Sequence, residues 1–250
     1  MRRLIILLTL VLGGGAATSP SSAQPLVADL SSHLIAITTG FSGTDVLLYG
    51  ATDGMGDIVV VVRGPETLTT VRRKVRVGGI WINRDRMTFA GVPSFYRIAA
   101  TRPLTEITSP SVRGRHQLGV DQLRLNPDQP ASDVELTAFR EGLVRNKEQA
   151  RLFLAKVGDV TMLRTDQARL FRTRIDLPAN VPTGTYTAEV FFLRNGQVVA
   201  AQATPMVVSK IGFGAELYDF AHRYSAIYGI IAIVIAVLAG WGASVAFRRS

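Results

Sequence analysis

Three cations recur at two-residue spacing in Val71-Arg72-Arg73-Lys74-Val75-Arg76-Val77. Successive side chains of a strand point to opposite faces, so Arg72, Lys74 and Arg76 share one face while Val71, Val75 and Val77 share the other. Such a row can bind a small anion, lipid headgroups or an acidic partner surface. The plainer reading is the solvated face of a half-buried strand, with Lys and Arg blunting an edge. Arg73 falls on the valine face, where it does not fit cleanly, and marks a candidate bulge.

Other chemistry is sparse. Asp53 and Asp57 flank Gly54-Met55-Gly56 and could offer oxygens to calcium, but the EF-hand pattern and its terminal glutamate are missing. Turn chemistry explains the same residues, since Gly tolerates positive φ and Asp bonds its own backbone. The three histidines, His33, His116 and His222, are far apart, with no His-Glu-x-x-His spacing, and His222 is placed as an interfacial side chain. No Gly-x-Ser-x-Gly elbow and no phosphate-binding Gly-x4-Gly-Lys-[Ser/Thr] loop occurs. A chain without cysteine has no disulfide framework, Cys-ligated zinc, iron–sulfur cluster or thiol nucleophile. No catalytic, cofactor-binding or metal-ligating residue is therefore assigned, and the expectation is a protein that is not an enzyme and needs no cofactor.

The elements that carry these residues lie between two apolar ends. Met1-Arg2-Arg3, the apolar run Leu4 to Leu12 and the small residues Ser21 and Ala23 read as a secretory signal peptide over 1–23. Near the other end no charge occurs from Tyr224 to Phe247, long enough as a helix to cross a hydrocarbon core of about 30 Å. Tyr218, Phe220, Tyr224 and Tyr228 flank one end of that run, and Trp241 and Phe247 the other, as aromatic side chains do at membrane interfaces. Arg248 and Arg249 follow, which by the positive-inside tendency puts the C-terminus in the cytoplasm. Small residues on the span, Gly229, Ala236, Gly240 and Ala243 foremost, would let another helix approach closely.

The formal net charge is +9, but setting aside Arg2, Arg3, Arg248 and Arg249 leaves 24 basic residues against 19 acidic, a net +5. That remainder, in an exported location, argues against a nucleic-acid partner.

The exported body reads as mainly β. Leu34–Thr38, Asp45–Tyr49, Ile58–Val62, Val71–Val77, Gly79–Asn83 and Tyr96–Ala99 are candidate strands in its first half, and Leu170–Leu177, Tyr186–Leu193, Gln197–Ala203 and Met206–Ser209 in its second. Pro178 to Tyr186 has the form of an immunoglobulin-like sandwich corner, with a Pro/Gly turn leading into a strand that opens on an aromatic. Asn195-Gly196 predicts a tight hairpin. Ser132-Asp133-Val134-Glu135 is a capping box, and the apolar spacing through Leu136, Phe139 and Leu143 toward Leu154 and Ala155 predicts a helical segment that Gly142 and Asn146 could divide in two. The expected fold is one or more immunoglobulin-like β-sandwich modules with a helical insertion, plus one C-terminal transmembrane helix. The expected plan is a signal peptide (1–23), an N-terminal β module (24–125), a β module with the helical segment near 132–155 (126–210), a juxtamembrane segment (211–224), a transmembrane helix (225–247) and a cytoplasmic tail (248–250).

The strand ending Val59-Val60-Val61-Val62-Arg63-Gly64-Pro65, then Gly79-Ile80-Trp81-Ile82-Asn83, Val92-Pro93-Ser94-Phe95-Tyr96, the Pro178 to Tyr186 corner and Gly240-Trp241 before Phe247-Arg248-Arg249 together resemble a family of uncharacterised single-pass transmembrane proteins of alphaproteobacteria. The order of these segments carries the resemblance, which covers nearly the whole chain after the leader. It implies a membrane-anchored exported protein, often encoded beside a sulfite-exporter-type permease, and brings no catalytic residues. The expectation is a non-enzymatic accessory or interaction protein of the bacterial inner membrane, with its body in the periplasm and its span in the lipid bilayer, partnering a multispan permease. A small-anion-binding module using Arg72, Lys74 and Arg76 is the alternative, and an enzyme with an unfamiliar site the third.

Overall fold

The computed structural model describes residues 26–164 and 169–247. The signal peptide expected at 1–23 and the Arg248-Arg249 flank lie outside the described residues. In chain order the elements are β1 (Leu26–Leu30), β2 (Leu34–Ile37), β3 (Gly43–Thr52), β4 (Asp57–Arg63), β5 (Glu66–Val77), β6 (Ile80–Pro93), β7 (Tyr96–Ala100), α1 (Leu104–Ile107), α2 (Pro110–His116), β8 (Asn126–Pro127), α3 (Asp133–Gln149), β9 (Phe153–Val157), β10 (Thr161–Arg164), β11 (Arg169–Pro178), β12 (Gly184–Arg194), β13 (Gln197–Lys210), α4 (Phe213–Arg223) and α5 (Ser225–Phe247).

The first sheet has the order β1-β3-β11-β10 and the second β2-β13-β12-β4-β7-β9. These contain the A-B-E-D and G-F-C orders of an immunoglobulin-type sandwich. The first strand is split: β1 pairs antiparallel with β3, and β2 crosses over to run parallel to β13. The two sheets share one core. Leu48, Phe171, Ile175 and Leu177 come to it from the first sheet, and Ile58, Val60, Tyr186, Val190 and Phe192 from the second. Along β11 buried and exposed positions alternate strictly from Leu170 to Leu177, with Phe171, Ile175 and Leu177 inward beside one buried polar residue, Thr173, as expected of a sheet with one solvated face.

Between β4 and β10 the chain builds an insertion over the other face of the second sheet. A third sheet, β5-β6-β8, and α3 cover a second core of Val59, Val61, Tyr96, Ile98 and Phe153 from the sheet with Met87, Phe89, Phe139 and Leu143 from the insertion. A strand covered on both faces reads as a near-continuous apolar run. That is why Ile58 to Val62 is an unbroken run, with Ile58, Val60 and Val62 facing one core and Val59 and Val61 the other.

The expected division into modules 24–125 and 126–210 is corrected by the register. β3 pairs along its length with β11, and β4 with β12, so strands from both sides of residue 125 build the same two sheets. Strand periodicity shows that a segment is extended but not which distant segment completes its hydrogen bonds.

The helical segment is also corrected. Ser132 Oγ accepts from the Glu135 N–H at 3.3 Å and starts α3 as the capping box predicts. The helix runs unbroken through Gly142 and Asn146 and ends at Gln149. Arg151 then takes a positive φ of 58°, and Leu154 and Ala155 belong to β9, paired in parallel with β7.

The sandwich corner is as expected. Tyr186 is fully buried, its hydroxyl donates to the Pro182 carbonyl at 2.6 Å, and its ring lies 5.7 Å from that of Phe95. Burial pushes its phenol up to about 12. Tyr186→Phe is expected to lower stability by about 1 kcal/mol, the ordinary contribution of one such bond, read as a shift in the denaturant midpoint of the detergent-solubilised chain. Asn195 and Gly196 both have positive φ, 50° and 79°, and close the β12–β13 hairpin as a turn of the primed kind.

Candidate functional site

The basic row lies on a long hairpin, β5–β6, whose root is held and whose tip is free. At the root Val71 and Met87 are buried and paired. α3 packs against this root: a Cβ at Gly142 would make ordinary van der Waals contact with Val71, at 3.6 Å. The hydroxyls of Thr70 and Thr88 meet across the strands at 3.0 Å, and the Asp128 carboxylate accepts from the Thr88 N–H at 3.1 Å. Arg73 is the last anchored residue. Its guanidinium sits 4.7 Å over the Phe139 ring and 3.8 Å from the Asp85 carboxylate, which explains a cation on the valine side.

A bulge is present here, but on the partner strand and not at Arg73. Pairing shifts between Arg73, opposite Asp85, and Lys74, opposite Asn83, which leaves Arg84 as the extra residue. Beyond it the pairs are Val75 with Ile82, Arg76 with Trp81 and Val77 with Ile80. Gly78 and Gly79 close the turn at positive φ, 57° and 88°, a conformation in which side chains are strained.

Cross-strand partners share a face. One face of the hairpin therefore carries Arg72, Arg86, Lys74, Arg76 and Trp81, and the other carries Val75, Val77, Ile80 and Ile82. Arg72, Lys74 and Arg76 are all exposed, so the structure brings the three sequence-predicted residues together on one solvated face. The half-buried strand holds at Val71 and fails toward the tip, where Val77 is 52% exposed, Ile80 69%, Trp81 64% and Ile82 44%. The apolar tip escaped the sequence reading. Its signal was Gly78-Gly79 between two β-like runs, a two-residue hairpin connection.

Charge is concentrated on the same arm. Between Val71 and Met87 lie Arg72, Arg73, Lys74, Arg76, Arg84 and Arg86 against Asp85 alone, a net +5. Apart from the two terminal arginine pairs, the remaining 18 basic residues are balanced by 18 acidic ones. None of the three described cavities is lined by Arg72, Lys74 or Arg76. The row is an exposed strand face.

The other candidates have structural partners. Asp57 accepts from Arg102 Nε at 2.9 Å, Arg102 Nη2 at 2.6 Å and the Thr101 hydroxyl at 2.9 Å, and the bonds from Arg102 lead in holding its carboxyl below the usual range. Arg194 binds the Asp53 and Met55 carbonyls, so the Asp53–Asp57 segment is a clamped turn. His33 faces Asp29 at 3.1 Å, His116 meets the Phe191 ring at 5.3 Å, and His222 lies 2.9 Å from the Tyr218 carbonyl. Burial, with Arg115 and Arg63 nearby, holds His116 below its ordinary value.

The span is α5, preceded by α4 and a break at Tyr224. Its 23 residues reach about 34 Å at about 1.5 Å each, and the window Ser225–Ser244 is apolar enough to cross a membrane and makes no buried contact with the body. Gly229, Ala236, Gly240 and Ala243 are separated by intervals of 7, 4 and 3 and so form one narrow stripe on the helix.

A family described as "Putative transmembrane protein (Alph_Pro_TM)" matches residues 25–249. No curated protein matches the chain. A solved structure of a family 123 glycoside hydrolase from Clostridium perfringens aligns at 8% identity and a TM-score of 0.25, over 76% of this chain and 28% of the hydrolase. The chain thus spans about a quarter of that enzyme's length, and a likeness at this level carries no argument.

Proposed function

The chain belongs to the transmembrane protein family Alph_Pro_TM, and from that premise we propose that it is a non-enzymatic interaction protein of the bacterial inner membrane, accessory to a multispan permease. The body stands in the periplasm, α5 anchors it, and the stripe Gly229, Ala236, Gly240 and Ala243 is the close-approach face for a permease helix. The observation that carries the reading is the β5–β6 arm. A tethered body that is otherwise charge-balanced holds out one hairpin with a net +5 and an exposed apolar tip, and exposed apolar patches rimmed by charge mark interaction surfaces.

Crosslinking in the native cell, gentle solubilisation and mass spectrometry test the reading. One multispan protein is expected with the natural chain and is expected to be lost when Gly229, Ala236, Gly240 and Ala243 are replaced by Leu. Recovery of no specific protein overturns the accessory role. Small-anion capture by Arg72, Lys74 and Arg76 has less support, because exposed charges on an open strand face are screened and hydrated.

A further inference from the structure

We propose that the β5–β6 arm is a membrane-surface probe, its apolar tip entering the headgroup and acyl boundary of an anionic bilayer while its cationic shaft binds lipid phosphates. The proposal rests on the reading of the arm as the working surface and adds what the arm touches.

Three observations select a lipid surface over an acidic protein. The first is the sequence of chemistries along the arm. Val75, Val77, Ile80 and Ile82 make one aliphatic face at the tip, Trp81 stands opposite Arg76, and Lys74, Arg72 and Arg86 follow toward the root. The tip from Val75 to Val77 is about 7 Å deep at about 3.3 Å per residue, comparable to the about 5–10 Å to which interfacial elements bury their apolar faces. Tryptophan and arginine then sit where headgroups lie, the level at which amphipathic rings and long cations are stable.

The second is charge complementarity. The whole net charge of the chain outside its terminal arginines resides on this arm, and anionic lipid is an extended surface that can satisfy all of these cations at once.

The third is position. Pro65, the residue before β5, packs where a Cβ on Gly184 would meet it, 2.7 Å from Pro65 Cγ. Gly184 pairs with Val208, two residues before β13 ends at Lys210. The strand that carries the arm, β5, thus starts at the end of the sheet from which the chain leaves for α4 and the membrane span.

The test uses the full chain carrying Trp241→Phe, which makes Trp81 its single tryptophan. It is reconstituted in lipid nanodiscs of phosphatidylcholine alone or mixed with phosphatidylglycerol. In the anionic discs Trp81 fluorescence is expected to shift to the blue, to be quenched by lipids with brominated acyl chains and to lose accessibility to aqueous iodide. Each cation removed among Arg72, Lys74 and Arg76 is expected to lower the ratio of inserted to free arm about fivefold at low salt, and less at high salt. These residues are exposed, so an unchanged thermal melt shows that the variants fold. Trp81 that stays open to iodide and untouched by brominated lipid in both discs overturns the proposal.

A photo-crosslinker in place of Ile80 in native membranes separates the two readings. Adducts to lipid support the membrane probe. Adducts to a protein, with Trp81 unquenched in discs, overturn the probe and keep the interaction reading. No adduct to either overturns both.

Discussion

Gly50→Ala is expected to lower stability by about 3 kcal/mol, far more than a single methyl on a strand ordinarily costs. Gly50 lies on β3 between Ala28 of β1 and Phe171 of β11. A Cβ there would meet the Val27 carbonyl oxygen and would lie 2.5 Å from Phe171 Cζ. Neither neighbour can yield cheaply. The carbonyl belongs to the backbone of β1, which is paired along its whole length with β3, and Phe171 is 1% exposed within the sandwich core. An aromatic ring laid over a strand glycine fills the space that a side chain would take, so the substitution must either detach β1 or push the ring into packed neighbours. Guanidinium unfolding of the solubilised protein should show a lower midpoint with an unchanged slope. A loss below about 1 kcal/mol would mean that β1 can shift freely, and the argument from close approach would fall.

Phe153→Ala is expected to cost about 4 kcal/mol, within the range for emptying a fully buried aromatic site. Phe153 is 0% exposed, opens β9 and sets its ring at 64° to that of Tyr96, with centroids 5.9 Å apart. Tyr96 in turn donates from its hydroxyl to the Gln117 carbonyl and accepts from the Gly119 N–H, both at 2.9 Å. Burial pushes that phenol up to about 12, so it stays a neutral donor at physiological pH. Phe153 therefore supports the contact through which the insertion is fastened to the second sheet, and its loss should loosen β9, the segment after α2 and the root of the arm together. Trp81→Ala removes a larger ring from the exposed tip and should change stability by about 0.5 kcal/mol or less. Denaturation of the two variants side by side checks the contrast. Equal losses would mean that the tip is packed and not free.

Much of the chain was legible before its structure. The span, the Asn195-Gly196 hairpin, the Tyr186 corner and the Ser132 cap are local: each is specified by residues within a few positions of one another, and each stands where its pattern placed it. The bulge was only half legible: a cation on the valine face of β5 hinted at an irregularity, but β5 keeps its alternation and the extra residue, Arg84, lies on the partner strand β6. Illegible parts depended on distant partners. Leu154 and Ala155 extend a helical spacing, yet β7 offers a free strand edge, and parallel pairing with Tyr96 to Ala100 wins over one more helical turn. Gln197–Ala203 and Met206–Ser209 read as two strands, but they form one, β13, which carries Pro205 opposite Thr187.

By itself the sequence determined the inventory: a mainly β body, one apolar span of sufficient length, three cations on one strand face, and no residue set suited to a familiar catalytic site. Those properties follow from side-chain chemistry and from periods of two or about 3.6 residues, which act over short stretches of chain. Only the tertiary structure decided that one sandwich is assembled from both halves with an insertion between β4 and β10, and that the basic row stands on a hairpin whose tip nothing covers. Both depend on which surfaces meet across more than a hundred residues. Burial belongs to a pair of surfaces and not to a segment, so Val71 is buried and Val77 exposed on the same strand because α3 covers the first and leaves the second free.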